Sequence, residues 1–240
     1  NCRVAFKKMD QPIKESINIS RACDEIAVVD LKSGNTTYGL DSLTLIIGNS
    51  FPALKPLFKN RQFRWIMKRL YSLISYNRKV IIASKKIESE NSCISSFSLK
   101  YRLAYIILAW LITSSILTAY SAFLVPLIPA SNFYREFLIC GGQIVFQTLI
   151  LCFVRKEKVI HYIGNLMTIS LVGSLLLLIG VPFQILTRNP FLFFGWFAFI
   201  VLLMFIEHVR RTKLLQLPLL ISASWVIYRL LVLVFITFLK

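Results

Sequence analysis

From residue 103 onward, apolar positions follow one another with only short polar breaks. Five stretches stand out, at 103–125, 137–154, 160–186, 191–206 and 214–239. A helix of roughly 20 mostly apolar residues crosses the hydrocarbon core of a bilayer. Inside that core each backbone N–H and C=O must be paired within its own segment. The stretches meet or approach this length, so the pattern predicts a membrane all-α block of five transmembrane helices over residues 103–240. The fourth stretch is the shortest and predicts a helix that stands nearly upright or thins the bilayer locally.

The first hundred residues carry a different pattern. Residues 1–20 mix Lys7, Lys8, Asp10, Lys14 and Glu15 with scattered apolar positions and Pro12, as in a short helix or loop. A β-rich run at 26–29 ends at Asp30. Lys32, Ser33, Gly34 and Asn35 are turn residues, and Thr36, Thr37 and Tyr38 resume an extended segment. This predicts a hairpin, with Gly34 available for a positive φ. Gly39 ends the second strand, and Asp41 and Ser42 are candidate caps for a helix through 43–47 that Phe51, Pro52 and Pro56 interrupt. A second helix is expected at 62–76, where Phe63, Ile66, Met67, Leu70, Leu73 and Ile74 recur at spacings of three and four. Arg61, Arg64, Lys68 and Arg69 occupy the remaining surface. A two-stranded ribbon is marginal by itself, which predicts that a partner strand is missing. The stretch 84–98, rich in Ser, Lys and Glu, reads as a linker. The expected organisation is an arm at 1–82, a linker at 83–102 and the membrane block at 103–240.

Within the arm, residues 24–82 carry a strand ending in Asp30, a turn, and the element Tyr38-Gly39-Leu40-Asp41-Ser42. A loop with Pro52 and Pro56 follows, and the stretch closes on Leu70-Tyr71 and Tyr76-Asn77-Arg78. In the order and spacing of these parts it resembles the C-terminal half of the DCC family of thiol-disulfide oxidoreductase-like proteins. The resemblance covers about a quarter of the chain. It implies a partial α/β thioredoxin-like domain, a thiol or disulfide protein partner, and exchange through a thiolate at the N-terminus of the fold's first helix, where its pKa is lowered. The family's first strand and its two-cysteine motif would lie upstream of Asn1, and the chain begins with Asn rather than Met. Cys2 and Cys23 do not replace that motif and are expected to be structural. The family-like positions Asp30, Gly39, Asp41, Tyr71, Asn77 and Arg78 are expected in scaffold roles: Asp41 as a cap, Tyr71 in packing, and Asn77 and Arg78 as a solvated helix end.

Composition agrees with the membrane reading. The mean hydropathy is +0.67, and 56% of the residues are apolar. The formal charge of +17 would suit a nucleic-acid binder, but no stacking motif or recognition-helix pattern accompanies it, so nucleic acid is not expected as a partner. The bilayer is. Basic residues gather at Arg155, Lys156 and Lys158 in the second break and at Arg210, Arg211 and Lys213 in the fourth, against Arg135 alone in the first and Arg188 alone in the third. The positive-inside rule then puts the basic arm and these two loops in the cytoplasm, with Lys240 outside. Tyr101, Tyr105, Tyr134 and Tyr162 stand near span ends, where interfacial anchors belong. No N-terminal secretory signal is visible. Of Cys2, Cys23, Cys93, Cys140 and Cys152, no two stand three apart, so there is neither a CxxC pair nor a zinc-knuckle spacing.

Polar residues inside the apolar stretches are the candidates for function. Arg229 stands well away from either end of the last one, where a charge costs roughly 2.5–3.5 kcal/mol. A polar partner is expected from Gln143, Gln147 or Gln184. Gln143 and Gln147 share a helix face beside the small pair Gly141 and Gly142. His161 and Asn165 share another face, and Glu207 and His208 stand beside Arg210 and Arg211, where local ion pairing is expected. No GxxxxGK, HExxH or GxSxG pattern occurs, and no cofactor, metal or catalytic residue is expected. Two functions remain open. One is a membrane-tethered thiol-disulfide oxidoreductase-like protein, by resemblance. The other is a non-enzymatic multi-pass protein, transporter-like or scaffold, with a cytoplasmic interaction arm.

Overall fold

The computed structural model describes residues 11–31, 33–84, 96–125, 127–129, 131–187 and 189–238, and their side chains except at 12, 183–185 and 187. Cys2, Lys32, Cys93, Arg188, Lys240, most of the linker and the side chain of Gln184 therefore lie outside the described residues. Two compact units divide the chain: Asn1–Arg78 with Lys86–Tyr101, and Lys79–Lys85 with Arg102–Lys240.

In the first unit, short helices α1 (Gln11–Glu15) and α2 (Ile19–Asp24) precede a hairpin of β1 (Ala27–Val29) and β2 (Thr36–Tyr38). The strands are antiparallel, with Ala27 opposite Tyr38 and Val29 opposite Thr36. Gly34 turns the chain at φ 70°. Gly39, at φ 66°, leads directly into α3 (Leu40–Ser50), and its N–H donates to Ile26 O at 2.9 Å. The helix thus starts earlier than the caps expected at Asp41 and Ser42. Both fall in its first turn, where Asp41 accepts from Arg64 at 2.6 Å and Ser42 donates to the Thr37 hydroxyl at 3.2 Å. After a 3-10 turn at Pro52–Leu54 and α4 (Lys55–Lys59), Asn60 accepts from the N–H groups of Gln62 and Phe63 and opens α5 (Arg61–Ile81). This helix outruns the expected 62–76, and its last turn belongs to the second unit.

The second unit is built from α6 (Leu99–Ser121), which starts inside the expected linker and belongs to this unit from Arg102 on, α7 (Phe133–Arg155), α8 (Val159–Thr187), α9 (Pro190–Leu214) and α10 (Leu220–Phe238). Four segments are long and apolar enough to cross a membrane: Leu99–Leu124, Phe133–Pro182, Pro190–Leu214 and Leu220–Phe238. The second of these has 50 residues and contains two helices, because the chain turns at a 3-10 helix over Lys156–Lys158. Helices α7 and α8 then pack together around Leu151, Tyr162 and Leu166, each at most 1% exposed. Two expected boundaries are corrected. The fourth helix is not short: it continues to Leu214, because Glu207 pairs with Arg210 and Arg211 one turn away and so carries the charges along the helix. The last stretch is not helical from 214. Gln216 sits at φ 52° and Pro218 lacks an N–H to continue the ladder, so α10 begins at Leu220.

Polarity in this unit runs opposite to that of a water-soluble bundle. Large apolar side chains point outward, among them Phe153 (90% exposed), Leu138 and Ile179, whereas Gln143, Gln147, Thr168, Ser174 and His208 are buried. The basic loops meet at one end, where Lys158 Nζ donates to Leu215 O at 2.7 Å. Residues 79–83 join them there. Arg211 donates to the carbonyls of Val80 and Ile81, and Arg210 to that of Ala83 at 3.1 Å. At the opposite end Tyr120 donates to Phe193 O at 2.9 Å.

Candidate functional site

Buried polar residues of four helices in the helical unit form two hydrogen-bonded groups. Gln147, fully buried on α7, accepts at Oε1 from the Tyr162 hydroxyl of α8 at 3.0 Å and lies 3.2 Å from Ser224 Oγ of α10. The Tyr162 oxygen stands 2.9 Å from His208 Nε2 of α9. With the hydroxyl donating to Gln147, this contact calls for the tautomer in which Nε2–H donates. His208 stacks on Trp225 of α10, ring centroids 5.6 Å apart. It is therefore a buried network residue and not, as expected, part of the ion pairs at the helix end. Those pairs form without it: Glu207 binds Arg210 at 2.6 Å and Arg211 at 2.7 Å. Arg211 also donates to Asn165 Oδ1 at 2.9 Å, and Asn165 donates to His161 O at 2.8 Å.

Close helix approach makes this possible. A side chain on Gly141 would come within 2.6 Å of Trp110 of α6, and one on Gly142 would strike the Tyr228 hydroxyl of α10. Both aromatic residues use that proximity to reach α7. Trp110 Nε1 donates to Phe137 O at 3.0 Å, and Tyr228 donates to Ile139 O at 2.6 Å.

Trp225 leads to Arg229, one turn further along α10. The guanidinium lies over the Trp225 ring, 5.1 Å from its centroid. Arg229 stands nine residues from each end of α10, about 14 Å at 1.5 Å per residue. The expected glutamine partner is not found among the described residues. Gln147 is committed to Tyr162 and Ser224, and neither amide atom of Gln143 has a partner, nor does Arg229 Nε. The acid Glu136 is held by Ser131 Oγ at 2.5 Å and by Arg135 at 3.2 Å.

Arg229 and Trp225 line a cavity with Thr113 of α6, Ser170 and Ser174 of α8, and the apolar Phe197, Ile200 and Met204 of α9. Its volume of about 30 Å³ is room for two waters or one small ion, since a water needs about 10–15 Å³. Three of its lining residues carry a donor that lacks an acceptor among the described residues: Arg229 at Nε, Trp225 at Nε1 and Thr113 at Oγ1. Trp225 and Thr113 are 2% and 3% exposed. Thr113 is the exception on its helix, since Ser114, Ser115 and Thr118 all donate to the carbonyl four residues back. Buried donors without partners are rare in folded proteins and call for a water, ion or ligand.

In the first unit the family-like residues are engaged in internal hydrogen bonds. The Ile26 N–H donates to the Tyr71 hydroxyl at 2.9 Å, Arg78 donates to Cys23 O, and Ser75 to Asp24 O. Asn77 is not at a solvated helix end as expected: the helix runs on to Ile81, and Asn77 is fully buried, donating to Leu73 O at 2.8 Å and Tyr101 O at 2.9 Å. Asp30 accepts from Ser33 Oγ at 2.7 Å in the hairpin turn. Gly39 backs onto Glu25, whose carboxylate leaves a side chain only 3.0 Å. Cys23 is disulfide-bonded, to a residue outside those described. Cys140 is a buried free thiol and Cys152 an exposed one. Among the described residues no group of three His, Cys, Asp or Glu side chains could hold a metal.

No family model matches the chain, and no curated protein or solved structure is detectably similar to it. Tyr105 and Tyr162, expected as interfacial anchors, are instead buried within the unit at 6% and 1% exposure, because their hydroxyls bond Thr168 and the Gln147–His208 pair. The residues that sequence reasoning missed are Trp225, Thr113 and Ser224. The signal for the last two is a hydroxyl deep in an apolar stretch, whereas Trp225 is ordinary in such a stretch and gave none.

Proposed function

We propose that this chain is a multi-pass protein of the cytoplasmic membrane, with α6–α10 making five crossings, that binds a compact anionic group at Arg229. Three unpaired donors on one cavity carry this reading. A guanidinium, an indole N–H and a hydroxyl offer an acceptor-only ligand what it needs, and the neighbouring carboxylate is already occupied. Such a ligand would offset the cost of a mid-membrane charge. The outward apolar surface supports the membrane assignment. The gathering of both basic loops at one end supports a cytoplasmic arm and an external C-terminus. The cavity accommodates either a free halide-sized ion or the carboxylate end of a single-chain lipid whose tail stays outside it.

Thermal unfolding of the purified chain in a chloride-free neutral detergent tests this reading. The melting temperature is expected to rise with sodium chloride or with sodium decanoate, but not with decanol, and the rise is expected to vanish in Arg229→Leu. A response to chloride assigns the free ion, and a response to decanoate alone assigns the lipid carboxylate. A parent chain indifferent to both, or an Arg229→Leu variant that keeps the full response, refutes the site.

A second reading, a membrane-tethered thiol-disulfide oxidoreductase-like protein, draws on the family resemblance of residues 24–82 and on the disulfide at Cys23. Of the family-like side chains, Tyr71 and Arg78 are occupied in holding Ile26 and Cys23, which favours scaffold roles for them. On this reading the chain itself lacks dithiol reductase activity. Insulin reduction by the purified chain that is abolished by Cys23→Ser would overturn that expectation.

A further inference from the structure

Helix α5 has an apolar stripe that the structure leaves uncovered. Ile66, Leu70 and Ile74 recur every four residues along one side, where a helix packed within its own unit would be buried. They are 56%, 43% and 51% exposed. The helix instead packs through an adjoining flank, where Tyr71, Ser75 and Arg78 bond to residues 23–26. Leu57 of α4 adds a further exposed apolar side chain at 46%. Around this stripe the charge has one sign. Lys55, Lys59, Arg61, Arg64, Lys68 and Arg69 are all basic, and there is no Asp or Glu between residues 55 and 81. Arg64 is paired with Asp41, and Arg69 lies over the exposed Trp65 ring at 5.5 Å.

A helix with one apolar face, a Lys/Arg-rich opposite face and low overall hydrophobicity lies in the plane of a membrane interface. Anionic headgroups attract its charges within a Debye length. We propose that α5 is an interfacial helix, with Ile66, Leu70 and Ile74 seated at the acyl boundary of an anionic leaflet and its Lys and Arg side chains at the lipid phosphates. Charge complementarity selects lipid over a second copy of this basic chain. The helix is also tethered. Its last residues, from Lys79, belong to the unit carrying the apolar helices. The inference rests on the membrane reading above but not on the Arg229 site.

The test uses the full chain in lipid nanodiscs, with an environment-sensitive fluorescent amino acid in place of Leu70, or of Lys68 on the opposite face, and Ile74 as a second apolar position. Phosphatidylcholine discs are compared with discs containing phosphatidylglycerol. Emission from positions 70 and 74 is expected to shift to the blue and resist iodide quenching in the anionic discs only, while position 68 stays unchanged. Molar salt, which cuts the Debye length to about 3 Å, and the double variant Arg61→Glu, Lys68→Glu are each expected to reverse the shift. Identical emission at position 70 in anionic discs, neutral discs and detergent means that protein covers the stripe and overturns the proposal. A shift that follows protein concentration instead assigns the face to a second copy and overturns it too. A chain that fails to co-elute with the discs overturns the membrane reading as well, whereas co-elution without a lipid-dependent shift overturns this inference alone.

Discussion

Replacing Tyr162 with Phe removes a single oxygen from the centre of the polar network and leaves the ring in place. Tyr162 is 1% exposed and its hydroxyl has two partners, Gln147 Oε1 at 3.0 Å and His208 Nε2 at 2.9 Å. They are not equally dependent on it. Gln147 Oε1 keeps Ser224 at 3.2 Å, so its loss should be near the mean for a hydrogen bond between membrane helices, about 0.6 kcal/mol. His208 has no other hydrogen bond among the described residues, as its Nδ1 is also without a partner. Its loss should lie nearer the upper value of about 1.7 kcal/mol. Together the variant should be destabilised by about 2 kcal/mol, roughly a 30-fold shift in the folding equilibrium. Reversible unfolding by sodium dodecyl sulfate in mixed lipid-detergent micelles, followed by circular dichroism, measures it. Gln147→Leu and the double variant complete a cycle. The pair should cost less than the sum of the singles by about 0.6 kcal/mol. Additivity within about 0.3 kcal/mol, or a Tyr162→Phe variant as stable as the parent, would show that the network carries no energy.

Gly141→Val should destabilise by about 1–3 kcal/mol through overpacking, because its Cβ would meet the Trp110 ring at 2.6 Å. The same unfolding assay should find Gly195→Ala neutral or stabilising, since nothing lies within 4 Å of that position. Arg211→Met keeps the length of a side chain that is 6% exposed but removes its bonds to Glu207, Asn165, Val80 and Ile81. Glu207 keeps Arg210, so the cost is that of the acceptors left unsatisfied: a loss of about 1–3 kcal/mol is expected, with new protease cleavage near residue 80, and an uncut, equally stable variant would contradict it. For orientation, a membrane-impermeant thiol reagent applied to intact cells should label Leu127→Cys and spare Glu157→Cys, and the reverse pattern would invert the proposed topology.

The sequence alone settled what depends on neighbours along the chain. The apolar helices were legible because a backbone in lipid must be paired within its own segment, which leaves a run of apolar residues as the record. The hairpin at 27–38 was legible because turn residues sit between two β-rich runs, and the basic loops because charge inside lipid is costly. Local chemistry also set limits that periodicity did not show. The fourth helix runs on past its apolar part because Glu207 and its arginines lie three and four positions apart.

Only the tertiary structure decided which polar groups meet. Gln143 and Gln147 share a face of one helix, yet Gln147 is bound and Gln143 is not. Tyr162 and His208 are 46 positions apart and nothing in their surroundings along the chain pairs them. Arg229 was conspicuous as a charge far from either end of an apolar stretch, but that it would meet the face of Trp225 and a small cavity depended on the packing of α6, α8 and α9 around α10. The same holds for α5. Its two faces follow from helical spacing, whereas the exposure of the apolar one depends on which flank the hairpin took. Spacing along a helix determines which residues share a surface, and only the packing of the other elements determines what that surface touches.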